Sequence, residues 1–306
     1  MNVIFKKLSF KLLNLFGLLL LIILIFYFIG FFKMKFQFEK DQKQLNNKHI
    51  FIGDSHIQKS IEASKLPQSI NIAQVSESFY YSFYKLKYLK DNNVSIKSVN
   101  LGVGYHSFSE CYDNFTFGLN SEDIRARYFY ILPFTENFSY NLHHITSILN
   151  FSKSIISKNA NSITEKDDLQ HTFLGGYSNS FVNNKVDSLY IRKRIEDQFY
   201  KGGKSLNISK IISSYFDSIV TFSRKNKIKL TLIFTPVHPM YEKQVPVHFK
   251  KYFTQKCKRS GCNLIVFDSI HFFNDCFYLD GDHVTKKGAD KITSAINSMS
   301  LIGLNK

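Results

Sequence analysis

The sequence has no tryptophan, no closely spaced cysteine pair and a shortage of acidic residues, with 24 Asp and Glu against 40 Lys and Arg. The resulting formal charge of +16 attracts phosphate-rich polymers and anionic lipid headgroups in general. No recognition motif accompanies it, so a specific nucleic-acid partner is not expected. The missing Trp contrasts with 31 Phe and 17 Tyr. Together with abundant Lys, Asn, Ile and Ser, this resembles the drift of an AT-rich genome, which also accounts for much of the charge. The cysteines are Cys111, Cys257, Cys262 and Cys276. They lack the two close pairs of a zinc ribbon, so no metal site is expected from them. A Cys257–Cys262 disulfide would need an oxidising compartment; idle thiols are the expectation. No internal repeat is visible, and no cofactor is expected.

What is present describes a folded chain. Hydrophobic residues make up 44% and charged residues 21%, which argues against global disorder. The 306 residues suffice for one large domain or two small ones. Leu12 to Phe32 is an uncharged run of 21 residues rich in Leu, Ile and Phe, about the length that crosses a hydrocarbon core of roughly 30 Å. Gly30-Phe31-Phe32-Lys33 supplies no small-residue cleavage site, so an uncleaved anchor is expected rather than a signal peptide. Residues 1–35 therefore read as a cytoplasmic tail plus transmembrane helix, 36–48 as a linker with the polar stretch Glu39 to Asn47, and 49–306 as the folded domain. Lys6, Lys7 and Lys11 precede the span and Lys33, Lys35, Lys40 and Lys43 follow it. The positive-inside rule is close to a tie, and the short tail places the large domain outside the cytoplasm.

Within 49–306, strand-like runs alternate with amphipathic stretches. Strands are expected at Ile50-Phe51-Ile52, Ser69 to Ala73, Ile96 to Val103, Arg127 to Leu132, Lys229 to Thr235 and Asn263 to Phe267. Helices are expected at Phe79 to Leu89, Ile208 to Lys225, Glu242 to Cys257 and Lys286 to Met299. This alternation predicts an α/β fold, a mainly parallel sheet covered on both faces. Residues 106–205, with Asn- and Ser-rich patches, read as an irregular insertion covering the site.

Sites in such sheets lie beyond the carboxyl ends of the strands. Gly53-Asp54-Ser55-His56, Gly102-Val103-Gly104 and Pro236-Val237-His238 all fall there. A serine hydroxyl is a poor nucleophile until a base takes its proton and a third group orients the base. Asp280-Gly281-Asp282-His283 supplies both from one turn before the last helix. His283 is the expected base and Asp280 its partner; Asp282, adjacent to the ring, is poorly placed to reach it from behind. His56 is expected either to contact substrate or to start the next helix, and His238 to line the pocket or to sit idle in its loop.

At these residues the sequence resembles the SGNH (GDSL-type) hydrolase superfamily. The first block is Phe51-Ile52-Gly53-Asp54-Ser55 and the last is Asp280 to Ala289. The resemblance implies a three-layer α/β/α sandwich, flavodoxin-like in its sheet, with Ser55 as nucleophile, His283 as base and Asp280 behind it. It covers about residues 49–104 and 207–300. Two blocks depart from the family pattern. In Ile70 to Glu77, Ser76 stands where the family has glycine, and its backbone N–H can still donate to an oxyanion. In Leu101-Gly102-Val103-Gly104-Tyr105, Gly104 takes the place of the family asparagine, so one side-chain donor is absent unless Asn71, Tyr105 or His106 replaces it. The resemblance and the anchor together imply a serine esterase or O-acyltransferase acting on acyl esters, acetyl foremost, of a cell-envelope glycan. A fold retained for binding or assembly without efficient catalysis is the alternative.

Overall fold

The computed structural model describes residues 2–118, 121–143, 171–179, 186–267 and 274–302. The chain divides into two compact units, residues 1–39 with 122–167, and residues 40–121 with 168–306. The first contains most of helix α1 (Asn2–Leu45), α5 (Glu122–Tyr128) and α6 (Phe134–His143). There Arg125 donates to Glu136 O at 2.6 Å and lies 4.4 Å above the Tyr140 ring.

The second unit is built on five parallel strands: β1 (Lys48–Ile52), β2 (Ser69–Asn71), β3 (Ile96–Gly102), β4 (Lys229–Phe234) and β5 (Asn263–Val266), in the order β2-β1-β3-β4-β5. Phe51 faces Asn71 on one side and Asn100 on the other, and Leu101 faces Leu232. Five of the six residues of β4 are buried. That is the continuous apolar run expected of a strand covered on both faces. On one face, Phe51 and Ile233 join Ile57 of α2 (Ser55–Ser60) and Ala289 and Ile292 of α11 (Lys286–Ile302) in a single cluster. On the other, α3 (Phe79–Asp91) meets α8 (Lys210–Lys225) through rings, with Phe79 5.3 Å from Phe216 and Tyr80 4.9 Å from Tyr215. The expected α/β class with a parallel sheet between helices is therefore present.

Beneath the loop after β2 lies a fully buried ion pair. Lys85 Nζ bonds Glu77 Oε2 and donates to Ile72 O at 2.7 Å, while Ser82 Oγ donates to Glu77 Oε1 at 2.6 Å. It ties α3 to the segment that carries Ser76.

Three local expectations are corrected. Arg127 to Leu132 is not a strand: α5 runs to Tyr128, and the N–H groups of Ile131 and Leu132 both donate to Tyr128 O at 3.0 Å. The β-propensity of Tyr, Phe and Ile yields here to a closed turn. The helix expected over Glu242 to Cys257 is two, α9 (Pro239–Gln244) and α10 (Val247–Ser260), because Pro246 lacks an N–H and serves as the second helix's N-cap. The polar stretch after the apolar run is no free linker. It stays helical through Leu45, with Asp41 Oδ2 accepting from Phe173 N at 3.0 Å and Leu45 buried. Its Glu, Lys, Gln and Leu are all good helix formers.

The run Leu12 to Phe32 lies inside α1. The side chains of residues 20, 23, 26, 27, 30 and 31 fall outside the description, and among the described residues no helix is long and apolar enough to cross a membrane. Of the stretch 106–205, residues 119–120, 144–170 and 180–185 lie outside the described residues.

Candidate active site

The site begins where β1 ends. Gly53 has φ +142°, which L side chains rarely adopt, and a Cβ there would come within 3.3 Å of the Gly102 backbone. Glycine lets the chain turn tightly beside β3 and delivers Ser55 to the first position of α2. Asp54 caps that helix, its Oδ1 accepting from His56 N at 2.9 Å. The N–H of Ser55 lies in the first turn, where no intrahelical carbonyl can reach it.

Ser55 Oγ is 2.7 Å from His283 Nε2, and His283 Nδ1 is 2.8 Å from Asp280 Oδ2. A carboxylate only accepts, so Nδ1 carries the proton and Nε2 presents its lone pair to the serine hydroxyl. Asp280 is itself fixed, because Oδ1 accepts from His283 N at 2.7 Å and Asp282 N at 2.9 Å. The Asp-x-x-His spacing thus folds one turn around a single carboxylate. Asp282 Oδ1 lies farther from the ring nitrogen, at 3.5 Å.

A second buried network backs this triad. Asp54 Oδ1 lies 3.0 Å from His56 Nδ1, while Oδ2 accepts from Tyr112 Oη at 2.7 Å and pairs with His106 Nε2 at 2.9 Å. His56 Nε2 lies 3.4 Å from Asp282 Oδ2. Asp282 also takes Arg194 Nε at 3.0 Å and Nη2 at 2.6 Å, and Gln198 Nε2 at 2.6 Å. Gln198 is held in turn by Tyr241 Oη. The three rings stack, His106 on His56 at 4.2 Å and His56 on His283 at 4.7 Å.

The charges alternate along this network. Burial raises the Asp54 carboxyl, but His56 and His106 outweigh it and hold it well below the usual range. Asp282 is depressed in the same way, mainly by His283, His56 and Arg194 acting against burial. Burial lowers His56, yet the Asp54 and Asp282 carboxylates raise it to about 10. His106 is lowered by burial and by the neighbouring His56. A group whose folded pKa is raised stabilises fully below its unfolded value and loses that contribution as pH climbs through the folded one. The melting temperature is therefore expected to fall between about pH 6.5 and pH 10, and His56→Gln should flatten that decline in a thermal-melt series.

Asp54, His56 and His106, and likewise His56, Asp282 and His283, bring donor atoms within 4.8 Å of one another. Rings stacked with only 27° and 30° between their planes, 4.2 and 4.7 Å apart, keep their in-plane lone pairs in separate, nearly parallel layers. Such pairs do not converge on one ion at bond lengths of about 2 Å.

The remaining expected site residues fall in different places. Asn71 does not reach the serine: Nδ2 donates to Ile57 O at 3.0 Å and Ile61 O at 2.8 Å, and Oδ1 accepts from Ala73 N at 2.9 Å. Tyr105 donates to Glu242 Oε1 at 3.0 Å and lines a cavity of about 450 Å³ beyond β4 and β5, apart from the triad. His238 caps α9, with Nδ1 accepting from Met240 N at 3.2 Å and Nε2 3.1 Å from Asp275 Oδ1. Its backbone N–H donates to Gly281 O at 2.9 Å, so it braces the Asp280–His283 turn. Ser76 has φ +60°, the left-handed backbone in which glycine is favoured. His56 starts α2 and also enters the buried network.

Gly104 has a steric reason. A Cβ at this position would lie 2.6 Å from His106 Cε1 and 2.9 Å from its Nδ1, so the imidazole occupies the space a side chain would need. Gly104→Ala is expected to displace the ring and destabilise the protein by about 1–3 kcal/mol in urea unfolding. The cost should shrink in a His106→Ala background.

Arg194 and Gln198 lie on α7 (Ser188–Phe199), inside the stretch read as irregular, and no sequence motif announces them. The available signal is their i, i+4 spacing beside the buried Ile191 and Ile195. Comparison with known proteins finds no family model and no curated protein that matches the chain. At the end of a strand in a parallel sheet, the structure sets a serine hydroxyl, an imidazole and a carboxylate in hydrogen-bond succession.

Proposed function

We propose that the protein is a serine esterase or O-acyltransferase of the SGNH type. The observation that carries this reading is the serine–histidine–aspartate line, 2.7 Å from Ser55 Oγ to His283 Nε2 and 2.8 Å from His283 Nδ1 to Asp280 Oδ2. Both are within the reach a nucleophile and base require. Ser55 attacks the ester carbonyl, and His283 takes its proton and then returns it to the departing alcohol. The backbone N–H groups of Ser55 and Ser76 receive the oxyanion. Water as acceptor completes a hydrolysis, and a sugar hydroxyl completes a transfer.

The substrate class is an acyl ester, acetyl in the first instance, on a cell-envelope glycan. The membrane reading supports it: as a helix, the 21 residues 12–32 extend about 31 Å at about 1.5 Å per residue, and the active domain would stand outside the cytoplasm. A fluorophosphonate probe tests the proposal. Labelling of the wild type that disappears in Ser55→Ala is expected, and equal labelling of the two proteins would sink the reading.

A second reading, a fold kept for binding or assembly of envelope polysaccharide, is favoured by Gly104. The ring of His106 fills the space where a side-chain oxyanion donor would project, and in a comparable enzyme losing one such donor costs about 10²–10³ in turnover.

A further inference from the structure

The residue after the nucleophile is enclosed in a way that its position in α2 does not require. His56 is buried, with Nδ1 facing the Asp54 carboxylate at 3.0 Å and Nε2 facing Asp282 at 3.4 Å. Nδ1 is hydrogen-bonded to Asp54, whereas Nε2 makes no hydrogen bond and meets Asp282 only at ion-pair distance; a buried ring between two carboxylates is favoured as an imidazolium. One of its faces lies 4.7 Å from the His283 ring at an interplanar angle of 30°.

We propose that His56 is a positioning residue for the base, a fixed cation laid against His283 that opposes protonation of His283. This role in catalysis rests on the hydrolase reading above; the charge on His56 and its coupling to His283 do not. In the resting state the like charge stands 4.7 Å from the ring that has to accept the proton from Ser55. Once His283 has taken the proton, the same repulsion favours handing it to the leaving alcohol. Proton and charge balance throughout, because His56 neither gains nor loses a proton.

The groups that face His56 come from every element around it. Asp54 stands at the head of α2, and His106 stacks from the turn after β3 at 4.2 Å. Asp282 and His283 come from the turn before α11, with Asp280 behind His283. Tyr112 of α4 (Cys111–Phe117) and Arg194 of α7 bind the two carboxylates from outside. Tyr112 and Arg194 hold Asp54 and Asp282 in place, so those two groups offset His56 without moving closer to His283. Removing the cation while keeping the carboxylates exposes His283 to two negative charges and raises its affinity for a proton.

The test is a nuclear magnetic resonance titration of the full-length protein with its histidine rings labelled with ¹⁵N, comparing wild type with His56→Gln. His56 is expected to show two protonated ring nitrogens at pH 7, and the His283 midpoint to rise by about one pH unit in the variant. In parallel, the acid limb of the fluorophosphonate labelling rate should move to higher pH by the same amount. A neutral His56 in the wild type overturns the proposal without any variant, so poor folding of His56→Gln does not protect it. An unmoved or lowered His283 midpoint overturns it as well. A wild type that never labels removes the hydrolase reading and the catalytic role with it, while the ring titration still decides whether the coupling exists.

Discussion

Ser55→Ala and His283→Ala are each expected to reduce turnover of p-nitrophenyl acetate by about 10⁶-fold, and Asp280→Asn by about 10⁴-fold. The ordering follows from the geometry. On the proposed reading Ser55 and His283 exchange the proton directly across 2.7 Å, so losing either leaves no nucleophile activated by this base. Asp280 acts one bond further out. As asparagine it can donate an N–H to His283 Nδ1, which places the ring proton on Nε2 and turns a base into a donor facing the serine. The double variant Ser55→Ala/His283→Ala should be no slower than either single one, because the two act as a unit. Additive losses would show that the serine and histidine do not work together. Circular dichroism should leave Asp280→Asn folded, since asparagine still accepts from the N–H groups of Asp282 and His283.

Lys85→Met is expected to destabilise the protein by about 3–5 kcal/mol, the cost of leaving one partner of a buried ion pair behind. Both side chains are fully buried, and Lys85 also holds Ile72 O at 2.7 Å. The variant therefore strands the Glu77 charge and frees a carbonyl at the edge of the loop that carries Ser76. Lys85→Met/Glu77→Leu should recover most of the loss, because an apolar pair of similar volume needs no compensation for desolvation. Chemical unfolding of the three proteins measures it, and a double variant as unstable as the single one would contradict the account.

The parts of the fold that were legible in the sequence are those with a strong local signal. The strand Lys229–Phe234 and the helix Lys210–Lys225 announce themselves by apolar runs and periodicity, and they fix the class. Ser55, Asp280 and His283 were legible because each sits in a short motif whose geometry is set within a few residues. Where a residue preference met a closed turn or a distant partner, the reading failed. Tyr128 to Leu132 prefer an extended backbone, but a turn closed by Tyr128 O prevails. Asp54 and His56 read only as a turn and a helix start, although they anchor a charge network. Their partners Tyr112, Arg194 and Gln198 come from segments without a motif, and no spacing in the sequence links residue 54 to residue 112 or residue 282 to residue 194. Gly104 was legible as a departure but not as a consequence, since its cause is the ring of His106 two residues on.

The hydrogen bond between Ser55 and His283 joins positions 228 residues apart, and this separation sets the timing of the protein's biogenesis. During synthesis the strand that presents Ser55 leaves the ribosome well before the turn that carries His283, with the 228-residue separation between them. Closing so long a loop is slow relative to local folding. A nascent chain stalled before residue 280 holds Ser55 but neither Asp280 nor His283, so the hydrogen-bonded line cannot form until that turn has been made.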